Sequence, residues 1–431
     1  MFQRRKISDW KSVPNPYIKS PMTVTIDQLP TIDITAAFAS SDDFDAVVMS
    51  AHERGPFARS ARGLEVLGHK ECVGLLRDRR LHSDHMGLVE AMNFPEGPAK
   101  EFKRCMLLSH GRDAYRTRIR QALTRAIGAS VIEEQRPMIR QLVKDLLQKL
   151  DPDTETDLLH DFAFSVPSSL FCLWFGAPLS DAPWIAGLSD RLLKIFSRNP
   201  EFTPGIIAAY DELFPYVQSL IDNAMETPEE NLLANFIAQQ QAGHFSEQEL
   251  FHIVSMFNEA STDNTAHGIA TVIGRLASDR QRWQQVIDHP ELIPAAVDET
   301  IRLSGRINTL MRYASEDLEY GGVLIPEGTP VHHLIPAAHR DPRVYDNPLR
   351  YDPTRKVVHH LLDFGGGLYS CLGQHVALIE TQEAVAEMVG SYSNARLKSF
   401  KVNTNMFVSE VSELRVELNG SMGSGRTGIV A

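Results

Sequence analysis

From Asp113 almost to Gly305, apolar residues recur at three- and four-residue spacing, the period of helices that bury one face. The best-marked of these begins at Ser246. Ser246 and Glu249 form a capping box, each side chain satisfying a backbone N–H of the other's residue, and the pattern then runs to about Ser278. Its middle, Asn258-Glu259-Ala260-Ser261-Thr262-Asp263-Asn264-Thr265, is polar between two apolar flanks (Ile253, Val254, Met256, Phe257; then Ile269, Val272, Ile273). A solvated stripe would account for it. If the helix is buried, those groups need partners from protein, ligand or water. Elsewhere the pattern differs. Gly55–Gly68 reads as a hairpin and His69–Arg77 as a short helix, while 81–108 lacks a clear period and is expected to be a long loop. Strand-like alternation returns near 310–320, 331–334 and 399–418. Residues 1–50 are expected to be irregular apart from a short helix near 42–54, and 420–431 to be a disordered tail. The fold class expected is mainly α, with a small β-sheet region near the N-terminus and strands near the C-terminus.

The length, 431 residues, allows two or three domains at roughly 150 residues each. With 43 Lys+Arg against 55 Asp+Glu the net charge is −12, which argues against broad nucleic-acid binding. No run of about 18 apolar residues predicts a membrane span, and the start MFQRRKISDW has no apolar stretch behind its basic residues. Four scattered cysteines, Cys72, Cys105, Cys172 and Cys371, form no CxxC pair, so a reducing cytoplasm is the expected setting.

The segment richest in chemistry is Phe364-Gly365-Gly366-Gly367-Leu368-Tyr369-Ser370-Cys371-Leu372-Gly373, followed by a helical QHVALIETQEAVAEMV. Three glycines let the backbone turn tightly and approach another group closely. Cys371 stands where the N–H groups and dipole of the next helix favour a thiolate, the form that binds metals. A dinucleotide loop fits poorly because the GxGxxG spacing fails. Zinc fits less well, since no second cysteine is near, and a nucleophilic cysteine has no evident base.

This segment resembles the haem-binding loop of the cytochrome P450 superfamily, F-G-x-G-x-[H/R]-x-C-x-G, with Phe364, Gly365, Gly367, Cys371 and Gly373 in register. Glu299-Thr300-Ile301-Arg302 is similar to the family's E-x-x-R, and Tyr351-Asp352-Pro353-Thr354-Arg355 to its meander, whose Arg355 would complete a structural triad with Glu299 and Arg302. Ala337-Ala338-His339-Arg340-Asp341-Pro342 resembles its A-N-R-D-P segment. The signatures spread over most of the chain, so the resemblance implies one large haem domain over residues 51–419. It implies a haem b with Cys371 as axial thiolate, which pushes electron density to iron. It also implies propionates held by cations, with Arg116, Arg120 and Arg312 as candidates. Two departures stand out: Arg116 occupies a position that usually holds His, and Tyr369 one that usually holds His or Arg.

In the family an acid–alcohol pair on the distal helix, with its waters, delivers protons for oxygen activation. Here the matching stretch keeps the acid as Asp263 but has Asn264 for the alcohol, followed by Thr265. Asn donates hydrogen bonds but relays no proton at neutral pH. Ordinary hydroxylation, with water or a substrate hydroxyl completing the relay, stands beside other oxidations such as aryl or phenol coupling, ring closure or desaturation. A non-catalytic haem sensor or carrier is the rival of another class. By family position the substrate pocket takes in Met86, Met92, Ala260, Leu310, Met311, Phe407 and Val408, an apolar wall suited to a small molecule. Glu259 and Asn258 could meet a polar or basic substrate group. Electrons must come from separate proteins. The cluster Arg112, Arg116, Arg118, Arg120 and Arg125 predicts a basic patch for an acidic ferredoxin served by a ferredoxin reductase. A monomer is expected.

Overall fold

The computed structural model describes residues 23–39, 41–355 and 361–419. Helices form most of it, and the helix Glu247–Ala277 runs through the main hydrophobic core. Ser246 Oγ accepts the Glu249 N–H at 3.2 Å, and the Glu249 carboxylate accepts the Ser246 N–H at 2.7 Å, so the expected capping box is present. Around this central helix pack Ser165–Phe175, Ala182–Leu193, Thr203–Glu226, Ile293–Ser304 and Gln374–Ser391. That crowding explains its length: a helix enclosed by neighbours is stabilised along its whole run by tertiary packing.

Three small sheets flank the helices. In a five-stranded sheet the hairpin Phe57–Ser60/Gly63–Val66 is extended in parallel by Pro330–Leu334, then antiparallel by Thr309–Ala314 and Leu81–His82. Arg396–Thr404, Ser409–Glu417 and Glu155–Asp157 form a second sheet, and Val24–Thr25, Val323–Ile325 and Leu318–Tyr320 a third.

Three expectations need correction. Residues 81–108 are not a long loop: helices His85–Ala91 and Pro98–Cys105 occupy most of the span. Asp84 caps the first by accepting the Gly87 N–H at 2.9 Å, and Pro98 opens the second. Helices this short offer too few turns for a period to show. Residues 24–53 are likewise more regular than expected. Besides the helix expected near 42–54, which spans Ser41–Glu53, a strand at Val24–Thr25 and a helix Ile34–Ala39 precede the hairpin, with Ile34 and Ala37 buried. The helical stretch after Asp113 is interrupted by the strand Glu155–Asp157, whose register with Arg415–Glu417 no local pattern could announce. The expected tail at 420–431 lies outside the described residues, as do residues 1–22. Among the described residues no helix is long and apolar enough to cross a membrane.

Candidate active site

The cysteine loop is shaped by two left-handed glycines. Gly365 has φ +68° and Gly367 φ +62°. A Cβ on Gly367 would stand 2.4 Å from the Leu76 carbonyl oxygen and 2.9 Å from the Arg77 Cα, so the loop is wedged against the helix His69–Arg77 where only glycine fits. The Cys371 N–H donates to the Phe364 carbonyl at 2.8 Å, closing the loop. Gly373 then caps the helix Gln374–Ser391, and Cys371 is exposed. Burial pushes its thiol up, against the pull of the Gly373 and Gln374 N–H groups and of Arg120.

Around the loop gather the predicted cations. Arg120 donates to the Ser370 carbonyl at 3.0 Å and to its hydroxyl at 2.7 Å. Arg116 and Arg312 flank Tyr369, each guanidinium 4.7 Å from the ring centroid. Arg116 donates to the Leu107 and Leu368 carbonyls, and Arg312 to the Met311 carbonyl at 2.7 Å. Neither has a carboxylate partner among the described residues, and the Nε of each is buried without an acceptor. Burial holds the Arg312 guanidinium down at about 10. Two enclosed cations with spare donors and no paired carboxylate among the described residues form a site for an anion. Beside an open cysteine at a glycine cradle, that donor set fits a haem with its propionates.

The structure brings Glu299, Arg302 and Arg355 together. Arg302 forks onto Glu299 at 2.7 and 2.8 Å, Arg355 reaches the same carboxylate at 3.0 Å, and the Asp352 N–H adds a fourth contact at 2.9 Å. Remaining guanidinium hydrogens bond the carbonyls of His339, Pro348, Asn347 and Arg350, tying down the segment that leads towards the cysteine loop.

On the central helix an accessible stripe, Met256, Ala260, Asn264 and Gly268, repeats every four residues, with the part-buried Ser261 beside it and the other residues of 253–270 buried. Asp263 and Thr265 lie off this stripe and are buried. Asp263 pairs with Arg306, which also donates from Nε to Asn264 Oδ1 at 2.9 Å. His267 Nε2 approaches Asp263 Oδ1 at 3.4 Å. Burial pushes the Asp263 carboxyl up, but Arg306 and His267 outweigh it and hold it below the usual carboxylate range. Ser189, from the neighbouring helix, inserts its hydroxyl into the ladder here, accepting the Asp263 N–H at 3.2 Å and donating to the Asn258 carbonyl at 3.3 Å.

Sequence reasoning missed Arg306, Ser189 and His267. His267 was open to discovery, since it lies four residues from Asp263 on one helix. Arg306 and Ser189 come from other elements with no local signal.

The pocket residues divide. Ala260 is exposed to the open stripe, and Leu310 lies beside the cysteine loop, 3.8 Å from where a Gly365 Cβ would stand. Arg198 packs its guanidinium over Phe407 (4.2 Å) and against the Met311 sulfur (3.9 Å). Val408 is buried and bridges Ile307. Met92 is wholly buried in the main core and gives its carbonyl to Thr203, so it is packing rather than wall; Met86 packs against the same core. Glu259 is taken by Lys103 and by the Tyr210 hydroxyl at 2.5 Å, which corrects its reading as a substrate anchor. The arginine patch also thins: Arg116 and Arg120 turn inward one helical turn apart, and Arg118 is neutralised by Glu249 at 2.5 Å. Only Arg112 and Arg125 of the five remain exposed without an ion-pair partner among the described residues.

The chain is similar to known proteins over most of its length. Residues 99–406 match the family model described as Cytochrome P450. Luteothin monooxygenase from Streptomyces thioluteus is 32% identical over 363 residues, covering 84% of this chain and 88% of its own. Nocardicin C N-oxygenase from Nocardia uniformis subsp. tsuyamanensis is 30% identical over 284 residues, covering 65% and 70%. Among solved structures, the cytochrome P450 enzyme CxnD for C–S bond formation in chuangxinmycin biosynthesis superposes with a TM-score of 0.74 at 26% identity, covering 88% of this chain and 95% of that one. The chain belongs to the cytochrome P450 family, a family of oxidoreductases that hold haem on a cysteine thiolate, and its fold is the fold of that family.

Proposed function

We propose that the protein is a haem-thiolate monooxygenase that oxidises a small, largely apolar molecule in bacterial specialised metabolism. The observation that carries this reading is the pair of buried guanidinium groups, Arg116 and Arg312, that flank Tyr369 beside the Cys371 loop with no paired carboxylate among the described residues. Cys371 would hold haem b as a thiolate, and Arg116, Arg312 and the Tyr369 hydroxyl would receive its propionates. Arg120 would steady the loop through Ser370, with Phe364, Gly365, Gly367 and Gly373 shaping it. When bound, the haem supplies the iron at which dioxygen is activated. Ala260 and Asn264 would face the reacting space, and Leu310, Met311, Phe407 and Val408 would form an apolar wall for substrate.

Electrons would come from a ferredoxin and its reductase, docking near Arg112 and Arg125 on a monomer, in the cytoplasm, a setting that suits four free cysteines. A second reading, oxidation without hydroxylation, such as aryl coupling, ring closure or desaturation, is favoured by one feature. Both Asp263 oxygens are engaged and Asn264 replaces the alcohol, which leaves no side chain at that position to relay a proton.

The carbon monoxide difference spectrum of reduced protein tests the ligation. A thiolate-type Soret band is expected, and Cys371→Ser should abolish it while retaining the far-UV circular dichroism of the fold. Protein that takes up no haem refutes the proposal. If Asn264 takes over the alcohol's role, Asn264→Ala should lower the share of reducing equivalents that reaches product and raise peroxide release; unchanged coupling would exclude that role.

A further inference from the structure

The polar groups around Asn264 form a chain whose donor and acceptor directions are fixed at two points, by the Val411 backbone N–H and by the donor-only Arg306 guanidinium. Val411 N–H donates to His267 Nδ1 at 3.2 Å. That nitrogen must therefore be the acceptor, and the neutral ring carries its proton on Nε2. Nε2 faces Asp263 Oδ1 at 3.4 Å, so it donates there. The other carboxylate oxygen receives Arg306. Arg306 is itself tethered, donating to the Ser409 carbonyl at 2.9 Å and receiving the Ser409 N–H on its own carbonyl at 2.8 Å, with Glu410 Oε1 3.6 Å away. Guanidinium has only donors, so the Asn264 atom that meets Arg306 Nε at 2.9 Å must be Oδ1. The amide cannot turn over without setting N–H against N–H. Asn264 Nδ2 has no partner among the described residues and is not sealed in the interior, and it belongs to the accessible Met256–Ala260–Asn264–Gly268 stripe.

Resting on the haem-thiolate reading above, we propose that Arg306 is a positioning residue that locks the Asn264 amide with its NH2 group towards the haem cavity, so that this wall presents a neutral hydrogen-bond donor and no acceptor. Asp263 and His267 then act behind it, holding Arg306 rather than swinging towards the cavity. A group accepting a hydrogen bond at that point is favoured, whether it is a diatomic ligand or a carbonyl or ether oxygen of substrate.

The test is infrared spectroscopy of the carbon monoxide adduct of reduced, haem-loaded protein. A donor facing bound carbon monoxide lowers its stretching frequency, and one locked rotamer gives one narrow band. Asn264→Leu removes the amide, and Asn264→Asp replaces the donor with a carboxylate that Arg306 can hold; both should move the band to higher wavenumber. Arg306→Lys keeps the charge for Asp263 but lacks the Nε–H of the planar fork. It should broaden or split the band as the amide gains freedom, while the thiolate-type Soret band stays. A band unmoved by both Asn264 variants shows that the amide does not reach the cavity and overturns the proposal. So does an Arg306→Lys band identical to that of the unaltered protein. Unaltered protein that binds no haem overturns this proposal and the preceding reading together; a thiolate-type spectrum with an insensitive band overturns this one alone.

Discussion

Glu380 gives the sharpest stability prediction. It lies on the helix that follows Cys371, is 1% exposed, and its Oε1 has no hydrogen-bond partner among the described residues. Burial alone pushes its carboxyl up to about 8. Below that pH the folded protein keeps the acid protonated, whereas the unfolded chain ionises it near 4.5. Between those values the native state binds the extra proton, so stability is highest in acid and falls as pH rises, by about 1.4 kcal/mol per unit. From pH 5 to pH 8 this single group removes about 3–4 kcal/mol. Glu380→Gln has no charge to lose and should erase that component. Urea unfolding of both proteins at pH 5, 6, 7 and 8 should show little difference at pH 5 and a variant that is about 3–4 kcal/mol more stable at pH 8. Parallel pH profiles for the two proteins would refute the reasoning, because they would mean that the carboxyl titrates alike in folded and unfolded chains.

Other perturbations separate enclosed charges from surface ones. Arg355→Ala leaves Glu299 with one of its two arginines and frees a segment held by three carbonyl contacts; a loss of about 3–5 kcal/mol in urea unfolding is expected. Lys103→Met leaves the buried Glu259 carboxylate with the Tyr210 hydroxyl but no counter-ion, at a similar cost of about 3–5 kcal/mol, and adding Glu259→Gln should recover most of it, which a double-mutant cycle would detect. By contrast Arg118→Ala removes an exposed partner of Glu249 and should change stability by no more than about 1 kcal/mol. Gly367→Ala sets a methyl group 2.4 Å from the Leu76 carbonyl at a left-handed φ, so thermal unfolding should shift down, by about 1–3 kcal/mol for the backbone strain alone.

Much of the architecture was legible because its causes are local. The capping box at Ser246 and Glu249, the hairpin at Gly55–Gly68 and the helix His69–Arg77 each follow from neighbouring residues. Glu299 and Arg302 sit one turn apart on a single helix, so their pairing needs no distant partner. Where a helix is only seven or eight residues long, as at His85–Ala91 and Pro98–Cys105, two turns leave no readable period, and a long loop was expected instead. The arginine cluster failed for another reason. Sequence counts charges but does not say which face of the helix turns inward, and Arg116 and Arg120 share the inward one.

By itself, then, the sequence determined the elements and the residue types at the cysteine loop, because glycine conformations, caps and helical periods are short-range properties of the backbone. What only the tertiary structure decided is the state of the site. Arg306, Ser189 and Val411 stand 43, 74 and 144 residues from the partners they constrain on the central helix, and no local rule connects them. Packing alone brings them within reach, and in a buried setting a donor must meet an acceptor. That requirement turns Asn264 from a residue that merely lacks a hydroxyl into an amide with one permitted orientation.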